Sequence, residues 1–243
     1  VSSDIYNTYF QNMFAKQKEG ALRKQEIDVE GKIFSSRIFV SQGETVLKEE
    51  KGIHCLADYL LSLAKDYKWE EYPDVFIQGI GGVGKSTEVK YAYNTFLDVF
   101  SDKKNYDDYN FFPIVYFFEL KNFQKDFYKK FDERENIILF LDGLDEISGS
   151  NIVELVKYLN NIRSQFTNVR FVISGRQASF DSEINGVSQN KLLIELTDNF
   201  DPYEATNRKL IERFQNSAIL DVISIPFYRK YLEINKDISG YKD

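Results

Sequence analysis

A parallel sheet of five strands flanked by helices is the fold this chain predicts, and three observations predict it. From Pro73 onward, short apolar runs alternate with helical stretches, the rhythm of a doubly wound α/β sheet. One run, Asn136-Ile-Ile-Leu-Phe-Leu141, is apolar almost throughout. Such a strand is covered on both faces, as parallel strands are. The first run, Val75-Phe-Ile77, passes directly into a glycine-rich turn and then into a helix. Right-handed crossovers would gather the strand ends, and any ligand, along one edge.

The elements follow in chain order. Asp4 to Lys16 reads as a helix, with Ile5, Tyr9 and Met13 at four-residue spacing. Residues 16–30 are charged and poorly patterned. Ile27 to Leu47 shows brief alternation punctuated by Gly31 and Gly43, which predicts short strands or an extended arm. Ile53 to Tyr67 predicts a helix with Ile53, Leu56, Leu60, Leu63, Ala64 and Tyr67 on one side. Cys55 lies on that apolar face and reads as buried filler. His54, the one histidine, has no neighbour suited to share a metal ion. Residues 1–70 are thus expected to be an N-terminal extension: an effector, a linker or a collar.

Residues 71–200 form the predicted core. After Val75-Phe-Ile77 and its turn, Val89, Ala92, Tyr93, Phe96, Leu97 and Phe100 give one helical face. Phe112 to Phe118 is the second strand, and Phe123, Phe127 and Phe131 mark a helix after it. Asn136 to Leu141 is the third strand. Ile152, Leu155, Val156, Leu159, Ile162 and Phe166 mark the next helix. Val169 to Ile173 and Leu192 to Leu196 are the fourth and fifth strands. Beyond residue 200 only helical patterns remain. Asp201-Pro202 opens one whose face is Tyr203, Thr206, Leu210, Ile211 and Phe214, and two short helices follow at 218–223 and 226–232. Residues 201–243 are therefore expected to be a small helical lid.

Composition narrows the classes. The chain has 243 residues and a formal net charge of −7, so no basic face for nucleic acid is advertised. Its 21 Phe and 16 Tyr point to a core filled by aromatic rings. A single cysteine excludes a disulfide framework and suits a reducing cytoplasm. No apolar run approaches the ~18 residues of a membrane span, and no leader peptide is visible. The first residue is Val1 rather than Met, which fits a piece cut from a longer protein.

Two constellations carry chemistry. Gly79, Gly84, Lys85 and Ser86 fit G-x-x-x-x-G-K-[ST] without a gap, with Gly81, Gly82, Val83 and Thr87 completing the loop. Glycines let successive backbone N–H groups face one hollow, and the helix behind adds the partial positive charge of its N-terminus. Lys85 would reach the β- and γ-phosphates, and the Ser86 hydroxyl would sit on Mg²⁺. The expected ligands are ATP or ADP with Mg²⁺. The third strand ends in Asp142-Gly-Leu-Asp-Glu146. Asp142 stands where an ATPase places the carboxylate that holds Mg²⁺. Glu146 is the candidate base for an attacking water, with Asp145 supporting the metal or the water. The fourth strand leads to Ser174-Gly-Arg176, whose guanidinium could meet a γ-phosphate.

Together, Gly79 to Thr87, Leu139 to Glu146 and Val172 to Arg176 resemble the nucleotide-binding domain of STAND ATPases, most closely the NACHT branch. The resemblance runs from about Pro73 to Leu232. It implies a P-loop NTPase sheet of the ASCE/AAA-like kind, in which the strand carrying Arg176 separates the phosphate-loop strand from the Asp142 strand. It also implies a helical subdomain over the nucleotide, in which Pro226 would touch the adenine. The family's winged helix and its nucleotide-sensing histidine have no counterpart here. The implied function is a slow ATPase switch in signal transduction or defence, with nucleotide-dependent self-association of the full-length protein.

Other classes share parts of this pattern. An AAA-type loader or remodeller acting on nucleic acid has the same core, and the acidic balance argues against it. A ParA-type ATPase carries a lysine where Ile80 stands. A GTPase would need Asn-Lys-x-Asp, and Asn235-Lys236-Asp237 has the wrong spacing. A module that binds nucleotide without turnover is the non-enzymatic alternative.

Overall fold

The computed structural model describes residues 53–102, 108–122, 135–147, 149–176 and 190–198, the strands at 37–41 and 44–45, and short pieces elsewhere, including 23–27 and 183–188. Seven strands are assigned: β1 (Arg37–Ser41), β2 (Glu44–Thr45), β3 (Asp74–Gln78), β4 (Pro113–Glu119), β5 (Asn136–Asp142), β6 (Val169–Gly175) and β7 (Lys191–Asp198). The helices are α1 (Leu56–Asp66), α2 (Lys85–Ser101) and α3 (Gly149–Gln165). The strands make one sheet in the order β2-β1-β7-β3-β6-β5-β4.

β7, β3, β6, β5 and β4 are mutually parallel, as the alternation predicted. β6 lies between β3 and β5, the placement the family resemblance implied. From β3 the chain runs out to β4, returns through β5 and β6, and then crosses to β7 on the other side of β3. This reversal opens a crevice at the carboxyl ends of the strands, where ligands of open α/β sheets bind. Pro113 fits because β4 is an edge strand and Pro113 is its first residue. The expected strands within 27–47 are β1 and β2. β1 runs antiparallel to β7, so part of the N-terminal stretch is built into the same sheet.

The core is aromatic. Phe140 on β5 meets the rings of Tyr93 and Phe96 on α2 at 5.8 and 5.6 Å. Ile137 to Leu141 are all fully buried, which accounts for the unbroken apolar run. The predicted face of α2, from Val89 to Phe100, is buried throughout. Burying one such ring contributes about 1.5–3 kcal/mol. Phe131 packs on Tyr116 and Phe166, at 5.0 and 5.7 Å between centroids.

α1 begins three residues later than its pattern predicted. Cys55 is extended, and the Asp58 carboxylate accepts the His54 N–H at 2.9 Å. The Leu56 N–H donates to Glu88, a buried carboxylate on α2, at 3.2 Å. These carboxylates satisfy backbone donors that the helix start leaves over. Tyr67 ends the helix in an extended conformation and is exposed, so it does not belong to the buried face.

The end of the sheet away from the glycine turn is tied by charge. Buried Asp74 accepts the Phe171 N–H at 2.8 Å and the Arg163 guanidinium at 2.6 Å. No helix among the described residues is long and apolar enough to cross a membrane. The helical readings at 4–16, around Phe123 and Phe127, and after residue 200 lie outside the described residues except for fragments. Pro226 is outside them too.

Candidate functional site

The site starts from the turn between β3 and α2. Gly82 and Gly84 have φ of 79° and 98°, a region that side chains disfavour. Gly84 is the N-cap of α2 and supplies no side-chain cap. The first N–H groups of α2 are therefore left for a ligand, and an anion suits them. At Gly79 the constraint is space, since a Cβ there would lie 2.6 Å from the Leu196 carbonyl oxygen of β7. Val83 is fully buried and pins the loop to the core, Thr87 is half-buried, and Ser86 is exposed beside the hollow.

Lys85 bends back over the loop. Its ammonium donates to the carbonyl oxygens of Gly79 and Ile80 at 2.9 and 3.0 Å. Burial lowers its pKa, and the nearby charge of Asp145 opposes that shift. A cation held by two neutral carbonyls gains further from an anion within its reach.

Asp142 ends β5 and is buried. Its Oδ1 accepts the hydroxyl of Ser174, from the neighbouring strand β6. The Ser86 hydroxyl lies close enough to the Asp142 carboxylate to favour its charged form. Burial pushes the Asp142 pKa up, and the two hydroxyls oppose the shift. The loop serine and the strand-end carboxylate are thus already together, and their charge is short of a cation. That donor set fits Mg²⁺, which takes oxygen ligands and is commonly held by one or two carboxylates plus substrate phosphates. No group of three or more His, Cys, Asp or Glu among the described residues is placed to hold a metal. A metal here would depend on phosphate oxygens for the rest of its shell.

The acidic turn is shaped by Gly143, whose φ is 84°. A Cβ at that position would stand 3.2 Å from Cδ of Glu146, so Glu146 folds back across the glycine's open face. The turn over Leu144–Glu146 closes with the Glu146 N–H on the Gly143 carbonyl at 2.9 Å. Asp145 accepts from Nε of Arg176 at 2.9 Å. The same guanidinium reaches the loop: a Cβ on Gly81 would be 3.3 Å from an Arg176 Nη. Arg176 therefore spans the acidic turn and the phosphate loop. Asp145, Arg176 and Asp142 are each close enough to Lys85 to act on its charge.

One residue of this edge was missed by the sequence reading. Glu119 ends β4 directly opposite Asp142 in register. It pairs with Lys90 of α2 at 3.1 Å and Lys121 at 3.3 Å, and the Lys90 hydrogen bond is the main cause of its lowered pKa. The signal was available: Tyr116-Phe-Phe-Glu119 is an apolar strand ending in a carboxylate, the pattern that singled out Asp142.

A parallel sheet, a glycine loop leading from one strand into a helix, and a carboxylate ending the strand two places away make an α/β P-loop fold. No protein-family model and no curated protein matches the chain. Solved structures do. Among them are a replication initiator DnaA bound to AMPPCP and single-stranded DNA (15% identity, 76% of this chain and 61% of that chain, TM-score 0.43) and AMPPCP-bound DnaA from Aquifex aeolicus (16%, 76% and 61%, 0.40). PCH-2 of C. elegans is a third (16%, 69% and 47%, 0.37). The chain spans less than two thirds of the length of each. These are resemblances of chain path, and no role is taken from them.

Proposed function

We propose that this chain is the nucleotide-binding module of a STAND/NACHT-type switch, which binds ATP or ADP with Mg²⁺ and hydrolyses ATP slowly. The observation that carries this reading is the convergence at one sheet edge. The open start of α2 and Lys85 stand on one side, and the hydroxyl–carboxylate pair Ser86–Asp142 stands on the other. In this reading the N–H groups from Gly79 to Thr87 cradle the phosphates, with Gly81, Gly82, Val83 and Gly84 shaping the hollow. Lys85 leaves the Gly79 and Ile80 carbonyls for phosphate oxygens. Ser86 and Asp142 hold the metal, which would supply a neutralising charge between the phosphates. Glu146 takes the proton of the attacking water, Asp145 supports the metal or that water, and Arg176 meets the terminal phosphate.

The finer parts of the proposal concern the rest of the chain. Residues 1–70 serve as extension or collar, 71–200 as the nucleotide-binding core, and 201–243 as a lid that brings Pro226 to the adenine. The full-length protein self-associates in the ATP state, in the cytoplasm. Exchange of ADP for ATP then biases a two-state equilibrium through one phosphate.

Equilibrium binding of labelled ATP and ADP tests the core of this reading. Lys85→Ala is expected to abolish binding, and Glu146→Gln to retain binding while stopping turnover. Unchanged affinity in Lys85→Ala rejects the site. Equal turnover in Glu146→Gln and the parent leaves a binding module without hydrolysis. Turnover stimulated by added DNA or RNA would move the chain to the AAA-type remodellers.

A further inference from the structure

The proposed site hangs from a hydroxyl that lies outside the glycine loop and the acidic turn, two residues before Arg176. Ser174 is 1% exposed, inside the sheet on β6, between the phosphate-loop strand and the Asp142 strand. A serine hydroxyl has one proton and two lone pairs. Here the proton goes to Oδ1 of Asp142, and a lone pair takes the Gly143 N–H at 3.1 Å. The first bond fixes the rotation of the carboxylate and occupies one of its oxygens. The second fixes the peptide at which the chain leaves β5 and enters the Gly143 turn. That turn carries Asp145, and it lays Glu146 back over Gly143.

We infer that Ser174 is a positioning residue that orients Asp142 toward the metal and, through Gly143, sets the height of Glu146. The inference rests on the functional reading above. Ser174 is buried within the sheet, so in that reading it acts through Asp142 and, by way of Gly143, through Glu146. It is the described side chain that bonds both members of the Asp142–Gly143 pair. Replacing it with alanine leaves a buried N–H without its acceptor and a buried carboxylate with one hydrogen bond fewer. Loss of an outer-shell partner of this kind typically costs about 10–100-fold in metal affinity.

The experiment uses the whole 243-residue chain. Mn²⁺ serves as the metal probe, and its free concentration is read by electron paramagnetic resonance beside a non-hydrolysable ATP analogue. Ser174→Ala should weaken Mn²⁺ about tenfold or more. Its affinity for ADP in EDTA should equal the parent's, which also shows that the variant is folded. Ser174→Thr, which restores the hydroxyl, should bring Mn²⁺ affinity back toward the parent's. Under saturating Mg²⁺, the ATP KM of Ser174→Ala should hold while kcat falls. Parent-like Mn²⁺ binding by Ser174→Ala overturns the inference and leaves the functional reading standing. So does a folded Ser174→Thr that stays as weak as alanine. A parent chain that binds neither nucleotide nor Mn²⁺ overturns both.

Discussion

Consider Gly143→Ala. The residue has φ of 84°, and a Cβ added there would lie 3.2 Å from Cδ and 3.4 Å from Cγ and one Oε of Glu146. The cost has two parts. Holding alanine in the left-handed region costs about 1–2 kcal/mol. The steric part is smaller in energy, because the obstructing atoms end a flexible side chain that can swing away. That swing is the informative event, since it moves the proposed base off its position. A misplacement near 1 Å can cost about a hundredfold in rate. The expected result is a chain destabilised by about 1–2 kcal/mol in urea unfolding. It should bind ATP and ADP like the parent and turn ATP over roughly a hundredfold more slowly. Glu146→Gln in the same assay gives the floor. Parent-like turnover in Gly143→Ala would show that Glu146 does not act from this position. Loss of nucleotide binding would show that the turn supports the phosphate loop rather than the attacking water.

Two further predictions concern stability. Asp74→Ala orphans the buried Phe171 N–H and releases Arg163, which is 31% exposed and can turn to water. An unpaired buried donor costs about 1–3 kcal/mol and the half-solvated ion pair about 1 or less. Asp74→Asn keeps an acceptor for Phe171, so urea midpoints should fall much further for alanine than for asparagine, and equal falls would refute the division. Burial pushes the Cys55 thiol up to about 12. Folded protein should therefore show no rise in iodoacetamide labelling as pH passes through the ordinary thiol range near 8.5. The unfolded chain ionises there while the folded thiol keeps its proton, so this group's contribution to stability is full below about 8.5 and declines as pH rises above it. Cys55→Ala should remove that decline in urea unfolding, and an unchanged slope would refute the assignment.

The sheet was legible because burial on both faces leaves a strong local mark. The run ending at Leu141 and the helix face from Val89 to Phe100 each announced the surface they bury. The phosphate loop was legible for another reason: the chemistry sets its spacing. What stayed hidden depends on neighbours brought in from elsewhere in the chain. The start of α1 is set by Asp58 and by Glu88, which comes from α2. Glu119 enters the site only because β4 lies beside β5 in a register that opposes it to Asp142. The two hydrogen bonds of Ser174 require β6 beside β5, a sheet order that the sequence suggested through resemblance and no local pattern could supply.

The same geometry bears on how a phosphate would be received. Lys85 rests on two neutral carbonyls, and Arg176 is 64% exposed against one carboxylate. A phosphate oxygen is a stronger acceptor for Lys85 than a carbonyl, so that exchange is favourable without a large rearrangement. Arg176 has to leave Asp145, and an exposed pair of this kind contributes only about 0–1 kcal/mol. The two exchanges differ in consequence. Moving Lys85 frees only carbonyls that the loop can present to water. Moving Arg176 frees a carboxylate three residues beyond Asp142, beside the hollow that phosphates would enter in the proposed reading. A ligand that ends at the β-phosphate can satisfy Lys85 and leave the Arg176–Asp145 pair closed, whereas a third phosphate competes for Arg176 directly. Arg176→Ala should therefore weaken ATP binding more than ADP binding and so lower the ratio of ATP to ADP affinity. An equal change for both nucleotides, read by calorimetric titration, would show that Arg176 does not distinguish them.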